Sequence, residues 1–130
     1  MMYLIDSDIL IFLGRGNTLV QERINQAGLM NCAISEISLA ELYVGAYKSK
    51  TGRLESILAY LERTFPIAPV SPVLKRYASL RAALESKGTR LEDMDLMIAA
   101  TALENGYTLV THNTRHYARI PGLVLDDWIS

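Results

Sequence analysis

Short apolar runs alternate with longer amphipathic stretches along the whole chain. Residues 2–5, Met2-Tyr3-Leu4-Ile5, form a compact apolar run closed by Asp6 and predict a buried strand. Residues 7–13 carry Ile9, Leu10, Ile11, Phe12 and Leu13 and are stopped by Gly14 and Gly16, which predicts a helix. Residues 18–27 set Leu19, Val20 and Ile24 among polar neighbours and end at Gly28, a modest amphipathic helix. Residues 31–34 predict a second strand. In residues 35–47, Ser35 stands as a cap, and Ile37, Ala40, Val44 and Tyr47 recur at spacings of three and four. Leu54, Ile57, Leu58 and Leu61 repeat that period in residues 51–63.

Pro66 and Pro69 confine residues 65–70 to an edge strand at best. Ser71-Pro72 is a helix start, and that helix is expected to run through Glu85 and stop at Gly88. Residues 93–105 predict a helix with Asn105-Gly106 as its stop. Residues 107–111 predict a strand. Leu123-Val124-Leu125, after the turn at Pro121-Gly122, is a last short one. Strands alternating with helices predict an α/β fold, a three-layer sandwich whose short, mostly parallel central sheet is flanked by helices. At 130 residues the expectation is one domain, 1–130.

Composition narrows the class. Half the residues are hydrophobic, enough for a packed core and too many for intrinsic disorder. No apolar run approaches the roughly 18 residues that span a bilayer. The first residues lack a basic segment and meet Asp6 at once, so no secretion signal is expected. The single cysteine, Cys32, cannot build a disulfide framework, and a reducing, cytoplasmic setting fits. Thirteen Lys and Arg oppose 14 Asp and Glu, for a net charge of −1. Any contact with a nucleic acid must then come from local placement or a bound cation rather than from the global field.

The acids carry the chemical information. Asp6 closes the first strand, at the edge where open α/β sheets bind ligands. Glu41 lies on the helical stripe of Ile37, Val44 and Gly45, where an apolar residue is expected. Asp95 heads the stripe of Ile98, Ala99 and Ala102. Singly, each has a bland explanation: a turn residue, a salt-bridged core acid, a first-turn acid facing the helix dipole. Asp93 fits an N-cap in the same way. Together they suggest a shared site. Three carboxylates gathered within about 5 Å repel by roughly 1–3 kcal/mol per pair at intermediate dielectric, which a cation would relieve. An all-oxygen ligand set selects a hard ion, Mg²⁺ or Mn²⁺. Cys32, His112 and His116 have no zinc-site spacing, and no Gly-rich phosphate loop or G-x-S-x-G elbow occurs.

Three blocks of sequence resemble a known family. Leu4-Ile5-Asp6-Ser7-Asp8-Ile9-Leu10 is similar to the opening strand and acid of PIN-domain ribonucleases. Ser38-Leu39-Ala40-Glu41-Leu42-Tyr43-Val44-Gly45 resembles their glutamate-bearing helix. Asp95-Leu96-Met97-Ile98-Ala99-Ala100-Thr101-Ala102 leads on to Leu109-Val110-Thr111-His112-Asn113, then to Ile120-Pro121-Gly122-Leu123 and Asp127-Trp128. The blocks span nearly the whole chain in order and point to the toxin half of VapBC-type toxin–antitoxin pairs. The resemblance implies Mg²⁺- or Mn²⁺-dependent endonucleolytic cleavage of RNA. It implies Asp6, Glu41 and Asp95 as metal ligands, with Ser7 and Asn113 as further site residues. It also implies a small DNA-binding antitoxin that blocks the acids, and a homodimer. Tyr43, Tyr47 and the Leu54–Leu61 stripe are candidates for dimer contact area. The chain departs from the family at His116-Tyr117, where many members carry an acid followed by Phe. That puts a second carboxylate-held ion in question, and an exposed histidine is the simpler expectation.

Arg15, Arg90, Arg115 and Arg119 flank the expected site in the chain and are candidates for holding the RNA backbone. Two alternatives differ in class. Asp6-Ser7-Asp8 after a strand also resembles the Asp-x-Asp nucleophile of haloacid-dehalogenase-like phosphohydrolases, with Lys87 and Asp126-Asp127 as poorly spaced partners. A non-catalytic interaction module would use the acids structurally.

Overall fold

The computed structural model describes residues 2–129. In chain order it contains β1 (Tyr3–Ile5), α1 (Ser7–Gly14), α2 (Thr18–Ala27), β2 (Cys32–Ser35), α3 (Glu36–Lys48), α4 (Arg53–Thr64) and β3 (Ile67–Ala68). There follow α5 (Leu74–Ser86), α6 (Asp93–Asn105), β4 (Thr108–Val110), α7 (Thr114–Tyr117) and β5 (Leu125–Asp126). Single 3-10 turns at Leu29–Asn31 and Ser71–Val73 lead into β2 and α5.

The five strands pair in the order β3-β2-β1-β4-β5, every pair parallel. Parallel neighbours need crossover connections, and here the crossovers are helices that cover both faces of the sheet. Side chains along the strands alternate between those faces. Leu4, Ala33 and Leu109 pack toward α5 and α6, with Leu84, Leu96, Ile98, Ala99 and Ala102. Ile5, Ile34 and Val110 pack the other way, with Ile9, Leu10, Val20, Leu39, Leu42 and Leu61 from α1 to α4. The expected three-layer α/β sandwich is therefore what forms, and its sheet is wholly parallel. Among the described residues no helix is long and apolar enough to cross a membrane.

Three expectations differ in detail. The helix foreseen from Ser71 enters through a 3-10 turn closed by Val73 N–H donating to Val70 O at 3.0 Å. The α-helix proper starts at Leu74, and Ser71 does not cap it. In α3 the buried stripe is Ser38, Leu39, Leu42 and Ala46, whereas Ala40, Val44 and Tyr47 face outward. The two leucines carry more apolar area than Ala40 and less polar burden than Tyr47, so they set the rotation of the helix. The Ser38 hydroxyl is carried into the core by this rotation and has no hydrogen-bond partner among the described residues. The last strand is Leu125–Asp126 rather than residues 123–125. α7 and the Leu29–Asn31 turn are too short to leave a periodic signature.

Leu4 is fully buried in the central strand. Leu4→Ala is predicted to destabilise the protein by about 3 kcal/mol, read as a lower urea midpoint at unchanged slope.

Candidate active site

All five strands are parallel, so their carboxyl ends share one edge. The chain passes from β1 to β2 on one side of β1, and β4 lies on the other. That reversal opens a crevice between β1 and β4, where ligands of open α/β sheets bind. Asp6 follows β1 and Thr111 follows β4. Their backbones are locked in register, Ile5 opposite Val110, and the Asp6 N–H donates to Val110 O at 2.9 Å.

Asp6 is only 6% exposed. It caps α1, its Oδ1 accepting from the Ser7 N–H at 2.8 Å, while Oδ2 accepts from the Thr111 hydroxyl at 2.9 Å. Burial, then the charge of Asp8 and that of Glu41, raise its pKa to about 7 against the pull of those hydrogen bonds. Asp8, in the first turn of α1, accepts from the His112 N–H at 3.0 Å and the Ile9 N–H at 2.7 Å. Burial raises its pKa as well.

Glu41 comes from α3, which starts directly after β2 with Ser35 as its cap. Its Oε1 accepts from the Ser7 hydroxyl at 3.4 Å. Burial and then the charge of Asp95 raise its pKa. Asp95 sits in the first turn of α6. Its Oδ2 hydrogen-bonds His116 Nε2 at 2.9 Å, and its Oδ1 accepts from the Tyr117 hydroxyl at 3.3 Å. Tyr117 is buried, and its phenol pKa is raised first by that burial and then by the charges of Asp6, Asp95 and Glu41. One phenol thus feels all three acids, and Ser7 touches two of them.

Asp6, Glu41, Asp95 and Ser7 therefore come together. Asn113 stands at the rim: it is exposed, and its N–H donates to Thr111 Oγ1 at 3.1 Å. His116 is not the exposed histidine expected from sequence. It is half-buried against Asp95. Sequence reasoning gave Thr111, Tyr117 and Asp8 no role at the acid site: all three stand within the blocks that resemble the family, and Asp8 was weighed for chemistry only as part of the alternative nucleophile pair. A hydroxyl after a strand that parallels an acid-ended strand is the signal that could have pointed to Thr111. Among the arginines, Arg90 pairs with Glu85 and Asp93, and Arg119 Nε donates to His116 O, so both are already engaged.

The donor chemistry suits a hard dication, since the converging groups are carboxylates that burial and mutual repulsion leave short of positive charge. Among the described residues no group of three His, Cys, Asp or Glu side chains is arranged to hold a metal ion as it stands.

The raised pKa of Asp6 has a cost in stability. An unfolded chain loses this proton near 3.8, and the folded protein holds it to about 7. The group's contribution is fully present below pH 3.8 and is lost as pH rises through 7, on the order of a few kcal/mol. Asp6→Asn keeps the shape and removes the charge. In EDTA at pH 8 it is predicted to melt several degrees above wild type, with the difference vanishing near pH 4. Equal melting of the two proteins at pH 8 would contradict the burial argument.

Residues 3–123 match the PIN domain family model. The chain is 40% identical over 101 residues to ribonuclease VapC2 of Rickettsia felis, covering 74% of this chain and 73% of that one. It is 34% identical over 111 residues to the tRNA(fMet)-specific endonuclease VapC of Salmonella typhimurium, covering 84% and 83%. Among solved structures, VapBC2 of Rickettsia felis bound to a promoter DNA fragment superposes with a TM-score of 0.90 at 32% identity, over 98% of this chain and 99% of that one. DNA-bound VapBC of Salmonella typhimurium gives 0.87 at 32% identity, over 98% of each. These matches set aside the haloacid-dehalogenase-like alternative. The acids at the β1–β4 crevice, the parallel sheet and the likeness over almost the full length agree, and the chain belongs to the PIN-domain family of VapC ribonucleases.

Proposed function

We propose that the protein is a Mg²⁺- or Mn²⁺-dependent endoribonuclease, the toxin of a toxin–antitoxin pair. The observation that carries this reading is the meeting of Asp6, Glu41 and Asp95 at the crevice beside β1. Asp6 and Asp95 are the residues to hold the ion, with Glu41 directly or through water. The bound ion would polarise a phosphoryl oxygen of the RNA and lower the pKa of a water.

The chain's own groups do the rest. Thr111 and the Ser7 amide fix both oxygens of Asp6, and the Ser7 hydroxyl turns Glu41 toward it. His116 and Tyr117 between them orient both oxygens of Asp95. Water attacks phosphorus in line, a carboxylate of the cluster accepts the proton of the water, and the P–O ester bond opposite breaks, its oxygen leaving as a hydroxyl with a proton taken from solvent water.

A small antitoxin belongs to this reading, supported by relatives whose structures are VapBC complexes. A second copy of the chain belongs to it too. Tyr43 and Tyr47 are 41% and 90% exposed on α3 and offer apolar contact area, whereas Leu58 and Leu61 are consumed by the core.

The test is cleavage of labelled RNA by purified protein with Mg²⁺. Asp6→Asn, Glu41→Gln and Asp95→Asn are each expected to lower kcat by about 100-fold or more, and EDTA to abolish turnover. Cleavage at the wild-type rate by Asp6→Asn, or in EDTA, would refute the reading.

A further inference from the structure

α1 and α3 both leave the acid site, and eight residues later both reach a second concavity. Ser7 and Glu41 touch at the start, and Arg15 and Ser49 line the far end. Eight residues of helix advance about 12 Å. The cavity has a volume of about 230 Å³. Arg15, Arg53, Ser49 and Thr51 supply its polar lining, and Ile11 and Leu54 lie beneath them.

Glycine shapes this wall. A Cβ at Gly14 would lie 2.6 Å from Ile57 Cδ1, and one at Gly45 would lie 2.8 Å from Leu54 Cδ2. Their absence lets α4 close on α1 and α3. The loop that leads into α4, whose first residue is Arg53, is pinned by the Ser49 and Thr51 hydroxyls, 3.0 Å apart, and by the Arg53 N–H donating to Thr51 Oγ1 at 3.4 Å.

Arg23, Arg76, Arg81 and Arg90 each pair with a carboxylate. Arg15 and Arg53 are two of five arginines, with Arg63, Arg115 and Arg119, that pair with no carboxylate among the described residues, and these two line one cavity together. A protein of net charge −1 draws no polyanion by its overall field, so two unpaired forks at one spot weigh more here than in a basic protein. Guanidinium forks match phosphate oxygens, and an apolar floor beside them suits a sugar or base.

We propose that this cavity is a backbone subsite for the RNA strand cut at the acid site, with Arg15 and Arg53 holding one phosphate of that strand. The inference rests on the ribonuclease reading for the identity of the strand. The separation of about 12 Å places the held phosphate three to four nucleotides from the scissile bond at a stacked rise of about 3.4 Å, fewer if the strand is extended. An acidic protein segment would also satisfy two arginines. The apolar floor beside the two forks, and the run of α1 and α3 from the acids to this cavity, favour the RNA strand, and the peptide arm of the test reads the acidic segment.

The test pairs Arg15→Gln/Arg53→Gln with Arg15→Lys/Arg53→Lys. Anisotropy of a labelled twelve-nucleotide single-stranded RNA is followed in EDTA over a range of salt, beside a trinucleotide and a hexaglutamate peptide. The glutamine pair is expected to bind the longer RNA about 10-fold more weakly, with a salt slope shallower by about 0.7, as for one phosphate of a single strand, and to bind the trinucleotide as wild type does. The lysine pair keeps the charge and is expected to keep the slope. With Mg²⁺, KM for the longer RNA rises in the glutamine pair while kcat holds. Unchanged RNA affinity and slope overturn the subsite, as does loss of hexaglutamate binding with RNA binding intact. Loss of cleavage in Asp6→Asn alongside unchanged RNA binding in the glutamine pair removes the subsite and leaves the ribonuclease reading standing. Weaker RNA binding in the glutamine pair, with no Asp6-dependent cleavage, keeps the subsite and removes that reading.

Discussion

The parallel pairing of β1 with β4 governs this molecule. It fixes Ile5 opposite Val110, and by doing so sets Asp6 beside Thr111 at the carboxyl edge of a sheet covered on both faces. A carboxylate placed there is out of water before any ligand arrives. Two hydrogen bonds offset part of the desolvation, yet its pKa still rises to about 7. The rest of the crevice adds acids rather than cations. Glu41 arrives on the helix after β2 and Asp95 on the helix before β4, so the topology that closes the core also gathers the charge.

This is a fold that spends stability on a site. Leu4, Ile5, Leu109 and Val110 are wholly buried, and their packing supports a cluster that is unfavourable by itself. The polar neighbours have a consistent role. Thr111, Ser7, His116 and Tyr117 each bond a carboxylate oxygen and fix its direction, which narrows where an incoming cation and its waters could stand. Elsewhere on the surface, four of the nine arginines are matched to acids, and two of the others, Arg15 and Arg53, share a concavity at the far ends of α1 and α3, the helices that carry Ser7 and Glu41.

Much of this was legible in the residues. The alternation of short apolar runs with amphipathic stretches marks the sandwich, and Pro66 with Pro69 marks the edge strand that β3 proves to be. Thr18–Ala27 and Asp93–Asn105 coincide with their patterns because glycine stops end both; Asn17 caps the first, whereas the second starts after Glu92 without a side-chain cap, and Asp93 lies in its first turn rather than at the N-cap. Asp95 on an apolar stripe was sound evidence, since Ile98, Ala99 and Ala102 are all buried. Glu41 was chosen for a weaker reason. Of its companions, Val44 faces outward and Ile37 and Gly45 are only partly buried, and it reaches the crevice from the flank of α3 rather than from the buried stripe. Thr111, Tyr117 and the His116–Asp95 contact depend on which strands become neighbours, information that no local period contains. Arg53 was invisible for the same reason: it is distant in sequence from Arg15 and meets it only when α4 folds back.

The most direct test of the account is anomalous diffraction from crystals of the protein soaked in Mn²⁺. The account predicts an ordered ion in the crevice beside β1, held by Asp6 and Asp95, with Glu41 bound to it or to one of its waters. A crevice that stays empty at saturating Mn²⁺, or an ion ordered away from these three acids, would contradict it.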